Sequence, residues 1–200
     1  MESVTRMLDI VLPAGNESEL IEMAHRMGYT ELLLLYNKPT PAPKSALLKT
    51  FSGVLLSKPT QHFDGMLTAA AGADNARSFL EHNPPVIIYN LELAQLPDTM
   101  TERSSGLNQV LCALAAGKTR ICFSFANILA FSGMKRARLL GRIMQNILLC
   151  RKYNVHMGIA SFASASYQLR SPYDLKSYFQ QLGMKHDELK NAFKVPSVLC

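Results

Sequence analysis

Residues 120–162 read RICFSFANILAFSGMKRARLLGRIMQNILLCRKYNVHMGIASF, and this stretch decides the fold. Arg120–Phe125 (RICFSF) and Val155–Phe162 are short apolar runs of strand length. Between them, Lys135–Tyr153 carries Leu139, Ile143, Ile147 and Cys150 at helical spacing, which places all four on one arc. A strand, a long helix and a second strand form a crossover unit, whose strands run parallel with a right-handed connection.

The alternation extends both ways. Upstream, Pro85–Tyr89 (PVIIY) is a buried strand, and Ser105 is placed to cap a helix carrying Leu107, Val110, Leu111 and Leu114 and closed by Gly117. Further back, Met7–Ala14 reads as a strand. Asn16 and Glu19 then form a capping-box-like start to a helix with Leu20, Ile21, Ala24 and Met27 on one side and Gly28 at its end. Glu31–Tyr36 (ELLLLY) is nearly continuous apolar sequence, as a parallel strand covered on both faces requires. The three prolines of 38–44 exclude a helix or central strand there. Strands at Ser52–Ser57 and Gly65–Ala70 and a helix near Asp74–His82 complete the first half. Downstream, Ser171-Pro172-Tyr173-Asp174 is a well-formed helix start, and a last helix spans His186–Phe193. At least seven strands, mostly with helices between them, favour an α/β chain folded over residues 1–200 as a single TIM-barrel-like (β/α) barrel with mostly parallel strands and outer helices. An open doubly wound sheet is the less favoured arrangement.

With 48% hydrophobic and 18% charged residues in 200, the chain can bury a core and is not disordered. The longest stretch free of Lys, Arg, Asp and Glu, Tyr153–Leu169, is shorter than a membrane span, and Glu2, Arg6 and Asp9 break any secretory signal. A soluble, cytoplasmic protein is expected. Cys112, Cys122, Cys150 and Cys200 are too scattered for a zinc ribbon and read as buried thiols in a reducing compartment.

Charge is uneven. Residues 1–100 hold 7 Lys/Arg against 11 Asp/Glu, a net −4, whereas residues 101–200 hold 14 against 4, a net +10. A second half of that sign faces a polyanion or an acidic partner, unless it is ordinary surface charge that drifts along the chain. No Walker loop, G-x-G-x-x-G or H-E-x-x-H occurs, and the five histidines form no H-x-H pair. His156, in an apolar strand, reads as a core histidine. No catalytic or metal-ligating constellation emerges.

The cations are more informative. Lys135, Arg138 and Arg142 fall within about 60° of one another beside the buried arc, with no acidic residue three or four positions away. Lys135 and Arg136 oppose the dipole at the helix start by about 0.3–1 kcal/mol, a conflict that a docked phosphate would remove. In a barrel this helix start lies at the C-terminal rim of the strands, where Arg103 and Arg170 would also sit, each just before a helix. The expectation is a phosphate-binding rim.

Four segments then carry a resemblance: RSSGLNQVLC from Arg103 to Cys112, RICFSF, KRARLLGRIMQNILLCRKY and LRSPYDLKSYFQQLGM. In that order they resemble archaeal ribonuclease P protein component 3, a family related to the thirty-kilodalton subunit of eukaryotic ribonuclease P and MRP. Arg170, Pro172, Asp174 and Leu175, followed by Gly183-Met184, make the most specific piece. The resemblance implies a TIM-barrel-like subunit of an RNA-based endoribonuclease that removes the 5′ leader from precursor tRNA. It implies that the RNA cleaves with Mg(2+) held mainly by RNA, and that this chain binds no cofactor or metal of its own. The implied partners are ribonuclease P RNA, precursor tRNA indirectly, and other ribonuclease P proteins. Among these is the small component 2, with which the chain would brace the catalytic domain of the RNA. Arg77, Arg103, Arg136 and Arg170 are similar to the family's RNA-contact positions and join Lys135, Arg138 and Arg142 as expected RNA-binding residues. Ala126-Asn127 stand where the family often has an arginine, and Ser161-Phe162 where it has a serine pair. The competing reading is a metal-dependent PHP-type barrel hydrolase, which would need His and carboxylate ligands.

Overall fold

Seven strands lie side by side in the order in which the chain makes them, all parallel. They are β1 (Leu8–Val11), β2 (Glu31–Tyr36), β3 (Lys49–Leu56), β4 (Leu67–Ala71), β5 (Ile87–Tyr89), β6 (Arg120–Ser124) and β7 (Met157–Ala160). This computed structural model describes residues 6–73, 75–95 and 105–194. Sequential order with parallel pairing curls the sheet toward a barrel, and β1 meets the residues just after β7. The Phe162 N–H donates to the Ile10 carbonyl and the Leu12 N–H to the Ala163 carbonyl, both at 2.8 Å. The result is a nearly closed seven-stranded TIM-barrel-like cylinder.

A buried acid fastens that seam. Asp9, fully buried on β1, accepts the Ser161 N–H at 2.7 Å and the Ser161 hydroxyl at 2.6 Å. Burial pushes its carboxyl up from 3.8 to about 6, although both Ser161 bonds oppose the rise.

The continuous apolar strands divide their side chains between two cores. Leu33 and Leu35 of β2 join Leu8, Ile10, Ile87, Tyr89 and Phe162 inside the barrel. Leu32 and Leu34 face outward into a larger core, shared with the helices. These are α1 (Glu17–Arg26), α2 (Ala76–His82), α3 (Gln109–Ala115), α4 (Phe125–Ala130), α5 (Gly133–Lys152), α6 (Pro172–Gln181) and α7 (His186–Ala192). The arc expected on α5 is there, with Leu139, Ile143, Ile147 and Cys150 all buried. No helix joins β2 to β3 or β3 to β4. Among the described residues, no helix is long and apolar enough to cross a membrane.

Several local expectations fail, and at α1 the polar groups find distant partners. Asn16 does precede α1, but its side chain caps no helical amide. Its Oδ1 accepts the Ala14 N–H and its Nδ2 donates to the Ser164 carbonyl, latching α1 to the loop after β7. Glu19 meets the Ser166 hydroxyl instead of closing a capping box. Ser105 does not cap α3. Asn108 does, accepting the Leu111 N–H at 2.9 Å, while Ser105 is buried and its carbonyl accepts Asn146 Nδ2 of α5. Val110, assigned to the apolar side of that helix, is exposed. His156 is no core histidine; it precedes β7 and is exposed. The strand expected to end at Phe125 turns directly into α4, capped by the Ser124 side chain. Ser171 caps α6 as expected, accepting the Asp174 N–H at 3.1 Å. Cys112, Cys122 and Cys150 are free and buried, and burial raises the first two thiols to about 11 and about 12, leaving them poor nucleophiles. Cys200 lies outside the described residues.

Candidate nucleic-acid interface

The C-terminal ends of β5 and β6 build one wall each of a groove. After β5 the chain makes a 3₁₀ turn at Leu91–Leu93, entered through Asn90 in the left-handed region at φ 64°. After β6 it makes α4 and reverses at Phe131 into α5. Between them lies a groove of about 550 Å³, lined by Glu92 and Ala94 from the first connection and by Phe131, Lys135, Arg138 and Arg142 from the second. The three cations that share one side of the helix by spacing are therefore brought together over one concave surface. Lys135 and Arg138 are exposed. Arg142 is half-buried and anchors the wall, its Nη1 donating to the carbonyls of Glu92 at 2.9 Å and Ala94 at 3.1 Å.

The segment 105–107 stiffens this wall. Gly106 adopts φ 75°, and a Cβ there would sit 1.7 Å from the Leu91 carbonyl oxygen, so only glycine lets the chain press against the turn. Asn146, wholly buried on α5, holds the same segment through the Ser105 carbonyl at 2.9 Å.

Glu92 contributes its backbone to the groove while its carboxyl turns toward Asn127. It is fully buried, and burial pushes it up from 4.5 to about 7, with the Asn127 hydrogen bond opposing the rise. Among the described lining residues Glu92 is the one acid, and its carboxyl is buried. At the helix start, no acid occupies the first turn of α5, and Ser132 caps none of its amides through the side chain. Such an arrangement can hold an anion: cations, unshielded amides and a concave surface coincide.

The other expected residues have different surroundings. Arg136 is exposed in the first turn but folds back, its Nε donating to the Phe131 carbonyl. Arg170, between β7 and α6, donates Nη1 to the carbonyls of Tyr167 and Leu169 and lies 5.8 Å from the centre of the Phe125 ring. Arg77 starts α2 after β4 and pairs with Glu81 at 2.8 Å. Arg103 lies outside the described residues. All three placed arginines are on connections leaving strand C-termini, the same end of the barrel as the groove. Sequence reasoning missed Asn90, Glu92 and Asn127, which meet at the barrel mouth, Asn127 Nδ2 donating to Asn90 Oδ1 at 2.7 Å. Asn127 stands in the position noted for lacking an arginine, and an amide that serves the neighbouring strand end leaves no local pattern.

No group of three or more His, Cys, Asp or Glu side chains able to hold a metal gathers among the described residues. The hydrolase reading therefore has no ligand set there.

Comparison with known proteins follows the same line. No family model matches the chain. It is 28% identical over 198 residues to ribonuclease P protein component 3 of Methanosarcina mazei, spanning 90% of this chain and 80% of that protein. The protein of the same name from Methanosarcina barkeri is 28% identical over 205 residues, spanning 92% and 82%. That of Methanosarcina acetivorans reaches 37% identity over 92 residues, spanning 46% and 38%. Among solved structures, a chain of the cryo-EM structure of archaeal ribonuclease P with mature tRNA superposes with a TM-score of 0.73 at 22% identity. The match covers 92% of this chain and 85% of that one, and it supports the barrel fold.

Proposed function

Because this chain is a homologue of archaeal ribonuclease P protein component 3, we propose that it serves as a non-catalytic protein subunit of ribonuclease P, the RNA-based enzyme that removes the 5′ leader from precursor tRNA. The observation that carries the reading is the convergence of Lys135, Arg138 and Arg142 over one concave surface. Phosphate contacts of this kind position a protein on RNA without reading sequence. Lys135 and Arg138 project from the groove and contact the RNA backbone. Arg142 holds the groove wall and adds charge to it. Arg136 and Arg170 shape the loops that flank it while leaving their remaining N–H groups for phosphate, and Arg77 and Arg103 extend the contact around the rim.

In this reading the RNA performs the cleavage with Mg(2+) bound mainly by RNA, and this chain, with the small component 2 as companion, braces the catalytic RNA domain in the cytoplasm. The alternative of a metal-dependent hydrolase has no residue set to support it among those described. The test is reconstitution: catalytic RNA, companion protein and this chain, assayed for 5′-leader removal. Added chain should raise the rate of leader removal. A rate unchanged by its addition, or metal-dependent nuclease activity of the RNA-free chain, overturns the reading.

A further inference from the structure

Helix α5 distributes its side chains unusually. It carries Lys135, Arg136, Arg138, Arg142, Arg151 and Lys152 and no acid, so its outermost line would be expected to hold charge. At 100° per residue, that line, opposite the buried arc of Leu139, Ile143 and Cys150, is instead made of Met134, Ala137, Gly141, Met144 and Leu148, and reaches a cation only at its end, in Lys152. These five fall within about 80° of one another and run about 21 Å along the helix. Met134 is 77% exposed, Leu148 60% and Met144 44%. Cations lie on both flanks: Lys135, Arg138 and Arg142 on the groove side, Arg151 on the other, where it pairs with Glu188 of α7 at 2.7 Å.

Packing among the described residues does not account for the stripe. A Cβ at Gly141 would meet nothing within 4 Å, so no packing among the described residues requires glycine there. A mid-helix glycine also weakens the helix. Methionine and leucine on an outermost line gain nothing from water, whereas a bare backbone flanked by flexible methionines suits close approach by another surface.

We infer that the outer face of α5 is a docking surface for a companion protein that presents an apolar ridge bordered by carboxylates. Charge decides between occupants. A second copy docking through its own α5 would set one acid-free, six-cation helix against another, which like-charge repulsion opposes. Nucleic acid would satisfy the flanks but leave Met134, Met144 and Leu148 against phosphate. A protein with an apolar centre and an acidic rim satisfies both. The inference rests on the subunit reading above and divides labour on one helix: its groove side faces RNA and its outer line faces protein.

The experiment replaces Leu148→p-benzoylphenylalanine and irradiates the reconstituted assembly of catalytic RNA, companion proteins and this chain. The expected product is an adduct with a companion protein, at a peptide bearing Asp or Glu. Gly141→Arg and the double variant Met144→Gln/Leu148→Gln alter only exposed positions. They should weaken retention of the companion at least tenfold while RNA binding by the isolated chain changes less than twofold. An adduct with RNA or with a second copy, or no adduct in an assembly that cleaves precursor tRNA, overturns the inference and leaves the subunit reading standing. If the unsubstituted chain joins neither RNA nor protein, the subunit reading falls first and takes this inference with it.

Discussion

The two sides of the barrel are dressed differently. From β5 to β7 every strand is followed by helix, and α3 to α7 close over an outer core that includes Ile121, Phe123, Ile143 and Phe179. From β2 to β4 the strands are joined by loops, and a small separate cluster of Leu56, Ala70 and Phe79, covered by Phe63, lies beside α2, whose Ala76 and Leu80 join the larger core. The strands record the difference. All but the first residue of β6 are buried, whereas half of β3 is only partly buried, its Lys49 exposed at the start. An outer helical layer demands apolar residues on both strand faces, while a strand bare on one side can alternate. Charge divides along the same line, −4 for residues 1–100 and +10 for residues 101–200. The helical side is thus both the stability reservoir and the cationic surface, and the loop side completes the cylinder.

The largest consequence concerns packing. Phe179→Ala on α6, fully buried, should cost about 3–5 kcal/mol in urea unfolding. Phe63→Ala on the loop side, half-buried, should cost about 1 kcal/mol. Equal losses would dissolve the distinction between the sides.

Next come the two buried acids, one on each side. Asp9 at the seam and Glu92 at the β5 end are held at about 6 and about 7 by burial. A raised carboxyl binds its proton more tightly folded than unfolded, so stability is greatest at low pH. It falls as pH rises from about 4 to about 7 and levels off above that. Each tenfold gain in proton affinity is worth about 1.4 kcal/mol, so each acid removes about 3 kcal/mol by neutral pH. Denaturant midpoints across pH should lose the part of this slope below about 6 in Asp9→Asn and the part reaching about 7 in Glu92→Gln. A flat profile in the parent protein contradicts the assignment.

How far the sequence foretold these sides depends on whether the signal is local. The buried arc of α5, the run of β2 and the proline loop at 38–44 were legible because period, continuity and proline geometry act within a few residues. The convergence of Lys135, Arg138 and Arg142 was legible for the same reason. The role of Asn16 was not, because its partner Ser164 lies 148 residues away, nor was the hold of Asn146 on the Ser105 carbonyl, 41 residues apart. Closure at seven strands through Asp9 and Ser161, 152 residues apart, likewise left no local trace. Arg136 and Arg170 were expected to face an anion outright. Both also serve nearby carbonyls, which charge counting does not reveal.

Function sharpens the comparison further. Lys135→Glu/Arg138→Glu on the helical side should lower the rate of precursor-tRNA processing at least tenfold with the unfolding midpoint unchanged, since both residues are exposed. The matched reversal Lys44→Glu/Lys58→Glu, on exposed loop-side lysines, should change it less than twofold. The smallest expected effect is at the latch between the sides: Asn16→Ala should cost about 1 kcal/mol, the net worth of a hydrogen bond, read from thermal unfolding.

Salt tests most directly whether cations of the helical side grip RNA phosphates. Affinity of the isolated chain for ribonuclease P RNA, measured from low to moderate salt, should fall linearly on a log–log plot. Lys135→Gln/Arg138→Gln should shallow that slope by about 1–2 through the loss of two phosphate contacts. Binding that is indifferent to salt, or a slope unchanged in the double variant, would contradict the account.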